Sequence, residues 1–449
     1  MLDLVNLLIV FTQSYLPYRR WEVIHQSLES RTSERIADSF VEWMLEYYPL
    51  MKVDSVEHSY LNYSVASLVR NLCQSSPVLW VVVDGLGWLD HQELLSILTQ
   101  NRQLAVEKDI EPRFSILPTK TEYAKGSLYS QLLPNSSAWE KDSIKKAFAK
   151  MGLGEHYTDS RIHRLRKDLN KRKHQLYCWD TTQFDELHHN STDWQHLYNI
   201  KRPHTLELIA REILSFVQEY PNPEELRVAI ASDHGQILGT SEKITCPPEL
   251  EPQGRIAKGK TTDPRFVVLE CERYGLPHDI SIVRSSASIS SFSYNPDKKI
   301  LGSHGGLFPE EVVVGFSILK KTIQRTPVII SCHGKGEAGK PGNIEITIDN
   351  SNTVPLTDLY LYIKELPSFD TKKPIEKTIP ANQRVTFQLT IPKTPELSLT
   401  CECDRLSLSG ELTFKFAGHE ISSANLTPDS QIAITQMFIS QGFDINEFL

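Results

Sequence analysis

An unbroken apolar run that ends in an acid constrains this chain more than any other stretch: Leu79–Trp88, LWVVVDGLGW. From Leu79 to Val83 no side chain is polar, so a strand built there has no face to offer water. Such a strand belongs inside a sheet covered on both sides, the setting of a parallel sheet with helices on each face. Asp84 falls where the strand must end, and Gly85 and Gly87 follow at once. Its carboxylate then emerges at the carboxyl edge of the sheet, where open α/β sheets place their ligands. An N-cap for the next helix is the other reading of the same residue.

The downstream pattern extends the sheet. It predicts a crossover helix over His91–Thr99, a short strand over Phe114–Leu117 stopped by Pro118, and a helix from Thr121 to Leu132, ahead of Pro134. Strand signals recur at Gln175–Trp179, Arg227–Ala231, Arg265–Glu270, Ile280–Ile282 and Val312–Ile318, with a helix at Thr205–Gln218. Alternating strands and helices over residues 80–320 predict an α/β sandwich with a mostly parallel sheet. Residues 1–75 read as an N-terminal helical region, with Ile36, Phe40, Met44 and Leu45 on one helix face and a further helix at Ser55–Cys73. After Thr326 the chain turns to short alternating runs such as Ile344–Ile348, Leu359–Ile363, Val385–Ile391 and Leu412–Phe416, the signature of a small all-β sandwich. The expected organisation is therefore 1–75 helical, 76–325 α/β, 326–420 β-sandwich, and 421–449 a C-terminal helix and tail.

Charge narrows the function. A net charge of -8 excludes the global basic field that drives non-specific nucleic-acid binding. The basic stretch within 155–175, including Arg161, Arg164, Arg166, Lys167, Arg172 and Lys173, reads either as a solvated helix face or as a landing strip for a polyanionic substrate. Seven scattered cysteines without a CxxC pair argue for a reducing compartment and against a disulfide framework. The apolar start, Met1–Thr12, carries Asp3, lacks a basic n-region and is too short to span a bilayer. A soluble, cytoplasmic protein with no membrane contact is the expectation.

Five segments carry polar residues that belong together chemically: Asp84; Pro118-Thr119-Lys120-Thr121; Asp185 with His188 and His189; Asp233-His234; and Ser303-His304-Gly305-Gly306. Hard carboxylate oxygens combined with imidazole nitrogens are the donor set of paired divalent ions set about 3.5–4 Å apart. A threonine hydroxyl becomes a useful nucleophile when a metal withdraws charge and a helix N-terminus stabilises the anion. Thr119 and Thr121 are both candidates, and Thr121 lies where the helix begins. The i, i+4 spacing from Asp185 favours His189 over His188. Asp180 and Asp193 read as turn or surface acids. Lys120 and Lys125 read as phosphate-steering or solvated, and Arg255, Lys258 and Lys260 as loop cations within reach of a substrate.

VVVDGLGW, LPTKTEYAKGSLYS, FDELHH, ASDHG and SHGGLFPEEVVV resemble, in order and spacing, the motifs of PglZ-domain proteins of the alkaline phosphatase superfamily. The LPTKT segment is also similar to the nucleophile loop of nucleotide pyrophosphatase/phosphodiesterases. The resemblance spans residues 55–320. It implies an alkaline phosphatase-like α/β/α sandwich holding two divalent metal ions, zinc first and manganese as the alternative. Asp84, Thr121, Asp233 and His234 would surround one ion, and Asp185, His189 and His304 the other. Thr121 would attack phosphorus, and backbone N–H groups from Thr121 to Tyr123 would bind a phosphate oxygen. The implied substrate is a nucleotide or oligonucleotide phosphodiester, and the implied setting a prokaryotic anti-phage (BREX-type) or signalling system. No C-x-P-x-R or S-x-P-x-R pattern stands at this loop, which disfavours the sulfatase branch. The rival class is a metal-binding scaffold or partner-gated module, docking a protein partner through the β-sandwich or the C-terminal tail.

Overall fold

Val78–Val83 forms strand β1, buried along its whole length. Its alternate side chains enter two different cores. Leu79, Val81 and Val83 pack with helices α4 (Trp88–Thr99), α6 (Ile162–Asn170) and α8 (Arg202–Glu219) through Leu94, Leu98, Leu165, Ile209 and Phe216. Val78, Trp80 and Val82 pack on the opposite face with α3 (Val65–Leu72) and α5 (Thr121–Ser130) through Val69, Leu128 and Tyr129. The two-sided burial expected of an all-apolar strand is thus met by helices on both faces.

The computed structural model describes residues 8–25, 32–52, 59–100, 104–139, 144–149, 152–191, 193, 196–238, 240–284, 288–292, 302–322, 326–335, 341–364, 366, 373–375, 378–392, 408–416 and 420–428. They fall in two compact units, Met1–Thr322 and Ile323–Leu449. In the first unit β1 pairs in parallel with β4 (Leu176–Thr181) and β5 (Arg227–Ala231), and β4 in parallel with β3 (Gly154–Thr158). Strand β6 (Val313–Lys321) runs antiparallel between β5 and β2 (Leu104–Phe114), giving the order β2-β6-β5-β1-β4-β3. The fold is a mixed α/β sandwich with a mostly parallel central sheet.

Two local expectations are corrected. The strand predicted at Phe114–Leu117 is instead Leu104–Phe114, and the residues after it form the loop that leads to α5. As an edge strand β2 leaves most of its side chains half-exposed or exposed, so its charged sequence carries no apolar run to read. Within the predicted Ser55–Cys73 helix, Leu61 is extended and bridges to Phe114, and α3 begins only at Val65. Residues 55–58 of that prediction lie outside the described residues.

Helices α1 (Leu16–Ile24) and α2 (Thr32–Met51) belong to the same unit. Leu16, Phe40, Met44 and Tyr48 share a core with Phe114, Ile116 and Tyr123, so these helices underpin the loop before α5. The basic segment forms α6 and its flanks, where Arg161 pairs with Glu155 (2.7 Å), Arg172 with Glu225 (2.8 Å), and Arg166 with Glu212 and Glu219. These cations are neutralised by acids of their own unit, as a solvated helix face requires.

The second unit is an all-β body. Its strands are β7 (Ile329–Lys335), β8 (Gly342–Asn350), β9 (Leu356–Ile363), β10 (Lys373–Ile375), β11 (Gln383–Ile391), β12 (Gly410–Phe416) and β13 (Glu420–Pro428). They form one seven-stranded sheet in the order β10-β9-β12-β13-β7-β8-β11, curled about a core that includes Ile344, Ile346, Leu361, Leu412 and Phe414. Strand β13 joins its two halves, antiparallel to β12 and parallel to β7. The C-terminal helix and tail expected over 421–449 are corrected at their start, where residues 421–428 belong to strand β13 of the sheet; residues 429–449 lie outside the described residues.

Phe216 of α8 is fully buried, and its ring meets Trp179 of β4 edge-on at 5.2 Å. Phe216→Ala removes that contact and leaves a void beneath the sheet, so it should cost about 3–5 kcal/mol of folding stability. Urea denaturation of wild type and variant measures it; a loss under about 1 kcal/mol would contradict this account of the packing.

Candidate active site

The sheet brings the sequence-predicted acids to one edge. Asp84 follows β1 directly, and its N–H still donates to the Thr181 carbonyl of β4 (2.9 Å). Asp233 follows β5, and Asp185 lies in the short helix α7 (Gln183–His189) that follows β4. Gly85 turns the chain with φ +75, and a Cβ there would lie 2.6 Å from the Gln236 amide and 3.2 Å from Asp185. The turn after Asp84 therefore needs glycine on both counts. His304 arrives from far along the chain because Gly302–Ser303 pairs antiparallel with Ile237–Leu238, just beyond the Asp233-His234 motif.

Two donor groups result, and His234 belongs to both. Asp84, Asp233 and His234 hold ligand atoms within 4.8 Å of one another, as do Asp185, His234 and His304. The His234 and His304 rings stack at 3.8 Å between centroids. His189 Nε2 lies 3.2 Å from Asp185 Oδ2, at the rim of the second group. Thr121 is the first residue of α5, and its hydroxyl lies 3.0 Å from His234 Nε2.

The electrostatics follow from crowding buried acids. Burial, and then the charge of Asp84, push the Asp233 carboxyl up to about 7. Burial opposes charge on His234, but Asp233 and Asp84 carry it up to about 10. Burial likewise opposes ionisation of Asp84, yet Lys125 and His234 hold it well below the usual carboxylate range. Burial, followed by the charge of His234, lowers His304 to about 3. Asp185 is held at about 2, against burial, by its hydrogen bond with His189 and the charge of His304.

The remaining candidates divide by what their side chains touch. Thr119 is fully buried; its hydroxyl accepts from Gly305 N–H (2.9 Å) and faces Glu311 Oε2 (2.9 Å) and the Gly306 carbonyl (3.0 Å). It fastens the His304 loop, and the Thr119 carbonyl sits 2.8 Å from His304 Nδ1. His188 is turned inward and bonded to the Phe184 carbonyl (2.8 Å). The Tyr123 N–H is already given to the Lys120 carbonyl (2.9 Å), so it is not available to the phosphate oxygen assigned to it from sequence. Arg255 is buried against Glu311 (3.0 Å), an anchor of the same loop.

Lys125 and Asp180 depart most from their sequence readings. Neither is solvated: Lys125 Nζ lies 2.7 Å from Asp84 Oδ2 and 2.9 Å from Asp180 Oδ1, with both acids buried. Asp180 also accepts from the Tyr129 hydroxyl (2.8 Å) and contacts His156 Nε2 (3.1 Å). Gln236, which donates to Asp185 Oδ1, had no signal beyond its place after ASDHG. For Lys125 a signal existed in its i, i+4 spacing from Thr121.

The residues fit divalent metal ions on two observations. Asp84 Oδ1 and Asp233 Oδ2 are buried and lack hydrogen-bond partners among the described residues. His234 Nδ1 and His304 Nδ1 are both engaged with backbone carbonyls, at 2.9 and 2.8 Å, which turns each Nε2 toward the carboxylates.

No family profile matches the sequence, and no curated protein matches it. Among solved structures, an inactive variant of murine ectonucleotide pyrophosphatase/phosphodiesterase 5 (ENPP5, NPP5) in complex with AMP is similar at a TM-score of 0.38. That match has 11% identity and covers 54% of this chain and 87% of that one. At that distance the likeness identifies neither a family nor an activity for this chain. Among the described residues no helix is long and apolar enough to cross a membrane.

The raised values give the metal-free protein a pH signature. The folded pKa of about 7 for Asp233 and about 10 for His234 both exceed the ordinary values, so each group holds in the fold a proton that the unfolded chain releases. Each therefore contributes stability that is lost as pH rises through its folded value. The opposite contribution of His304 is complete above its ordinary value of 6.5. Between pH ~7 and ~9 the chelated protein should lose about 1.4 kcal/mol per pH unit through His234. Urea denaturation of EDTA-treated protein across that window, beside His234→Gln, checks this: the variant should flatten the slope, and a flat wild-type profile refutes it.

Proposed function

We propose that the chain is a divalent-metal-dependent phosphohydrolase, specifically a phosphodiesterase acting on nucleotide or oligonucleotide substrates, with Thr121 as its nucleophile. The observation that carries this reading is the Thr121 hydroxyl 3.0 Å from His234 Nε2, where the two donor groups share that histidine. Asp84, Asp233 and His234 would hold one ion and Asp185, His189 and His304 the other, with zinc as the first choice and manganese as the second. When bound, the ions supply Lewis-acid withdrawal of charge from the phosphoryl and hydroxyl oxygens.

The chain's own residues account for the rest. Thr121 Oγ1 sheds its proton and bonds to phosphorus, while the P–O bond to the leaving alcohol breaks and that oxygen takes up a proton. The positive end of the α5 dipole lies at Thr121 and favours the anion that forms there. The Thr121 adduct keeps the substrate's second ester arm; water then breaks its Oγ1–P bond, releasing the phosphate monoester and restoring the hydroxyl. The likeness of LPTKT to the phosphodiesterase nucleophile loop supports a diester over a monoester. The PglZ resemblance supports a cytoplasmic role in prokaryotic anti-phage defence or signalling, with the β unit or C-terminal tail as the surface for a protein partner.

The test is hydrolysis of bis-(p-nitrophenyl) phosphate and of the monoester, with Zn²⁺ or Mn²⁺, by wild type and Thr121→Ala. Metal-dependent diester turnover should fall by at least about a hundredfold in the variant, and acid-quenched peptide mapping should find the phosphoryl group on Thr121. Asp233→Ala and His304→Ala should each abolish turnover and lower the metal content. Wild-type turnover in Thr121→Ala would remove it as nucleophile; no wild-type turnover of either ester with metal bound would move the reading to a scaffold.

A further inference from the structure

Lys125 sits one helical turn beyond Thr121 on α5, with its side chain only 2% exposed. Its ammonium lies between Asp84 Oδ2 (2.7 Å) and Asp180 Oδ1 (2.9 Å), and these acids are themselves 4% and 6% exposed. Asp180 Oδ2 is braced from the far side by Tyr129 and His156. A lysine so placed gives up hydration and nearly all its rotamer freedom, a cost that a lone structural ion pair seldom offsets. The donors around it are hard oxygens converging on one point, which is also the setting that a magnesium-sized cation selects. With Asp84 Oδ2 engaged by Lys125, Asp84 Oδ1 is left without a hydrogen-bond partner and faces His234 Nε2 at 3.3 Å.

We propose that Lys125 is a positioning residue, a built-in cation standing between Asp84 and Asp180 where a further divalent ion would otherwise bind. It fixes Asp84 by one oxygen so that the other is offered to the catalytic metal. A divalent ion there would draw Asp84 away by its stronger field, whereas the ammonium carries a single charge and cannot exchange with solvent ions. This inference rests on the phosphohydrolase reading only for the purpose that Asp84 serves. The claim about the cation pocket itself concerns Asp84 and Asp180 alone.

The experiment compares wild type, Lys125→Ala and Lys125→Ala/Asp180→Asn, each purified and refolded in Mg²⁺. Divalent metal content and the Mg²⁺ dependence of thermal unfolding are measured for each. Lys125→Ala should carry about one more divalent ion per chain than wild type. Its melting temperature should rise more steeply with Mg²⁺ than that of wild type. The double variant, which lacks the paired charge, should lose both effects. Equal metal content and equal Mg²⁺ response in wild type and Lys125→Ala overturn the proposal. So does a Lys125→Ala protein that fails to fold even with Mg²⁺ present, because the proposal requires the ion to replace the ammonium. A wild type that binds no divalent ion sinks the phosphohydrolase reading instead, and the difference between wild type and variant still decides the role of Lys125.

Discussion

Three carboxylates buried beside one sheet edge repel one another, and the arrangement of this site answers that repulsion. Asp84, Asp180 and Asp233 all lie out of contact with bulk water. Two cations offset them: Lys125 between Asp84 and Asp180, and His234 beside Asp84 and Asp233. Burial first, and the charge of Asp84 second, still raise Asp233 to about 7 despite the two cations. Only a rigid support holds such a cluster together, and the parallel strands β1, β4 and β5, buried on both faces, are that support.

The loop that delivers His304 is held by a different device. Glu311 is fully buried and receives the Gly306 N–H (2.8 Å), the Phe308 N–H (3.2 Å) and the Arg255 guanidinium (3.0 Å), with the Thr119 hydroxyl beside it. A carboxylate that receives so many donors is held stiffly in place without a metal. Thr119 thereby ties the segment before Thr121 to the segment after His304, so the relative placing of Thr121 and His304 is a property of the protein alone. The two donor groups differ in exposure: the Asp84, Asp233 and His234 side chains are at most 4% exposed, whereas His189 is 34% exposed. A ligand arriving from water meets the His189 side first.

What the sequence made legible were the features written locally. A strand with no polar face announces a covered sheet, and the apolar residues after Arg227 mark the Arg227–Ala231 strand in the same way. The β2 strand was not legible, because an edge strand in contact with solvent keeps a charged pattern and its pairing with β6 is a long-range fact. Lys125 and Asp180 are illegible for the same cause: each looks like an ordinary solvated charge until the partner 55 residues away is placed beside it. Thr119 and Thr121 carry the same chemistry two residues apart, and only the direction of each hydroxyl, toward Glu311 or toward His234, separates them.

Both short helices at the sheet edge use one device, a pair of functional side chains four residues apart. On α7 the pair is Asp185 and His189, joined at 3.2 Å along one face near the solvent. On α5 the pair is Thr121 and Lys125, and there the device turns inward. Thr121 stands half-buried at the helix start beside His234, while Lys125, one turn deeper, reaches beneath to grip Asp84. A helix turn is a fixed length, so the hydroxyl and the ammonium cannot shift independently. Asp84 is therefore held from two sides, its backbone by β1 and its Oδ2 by the same helix that presents Thr121.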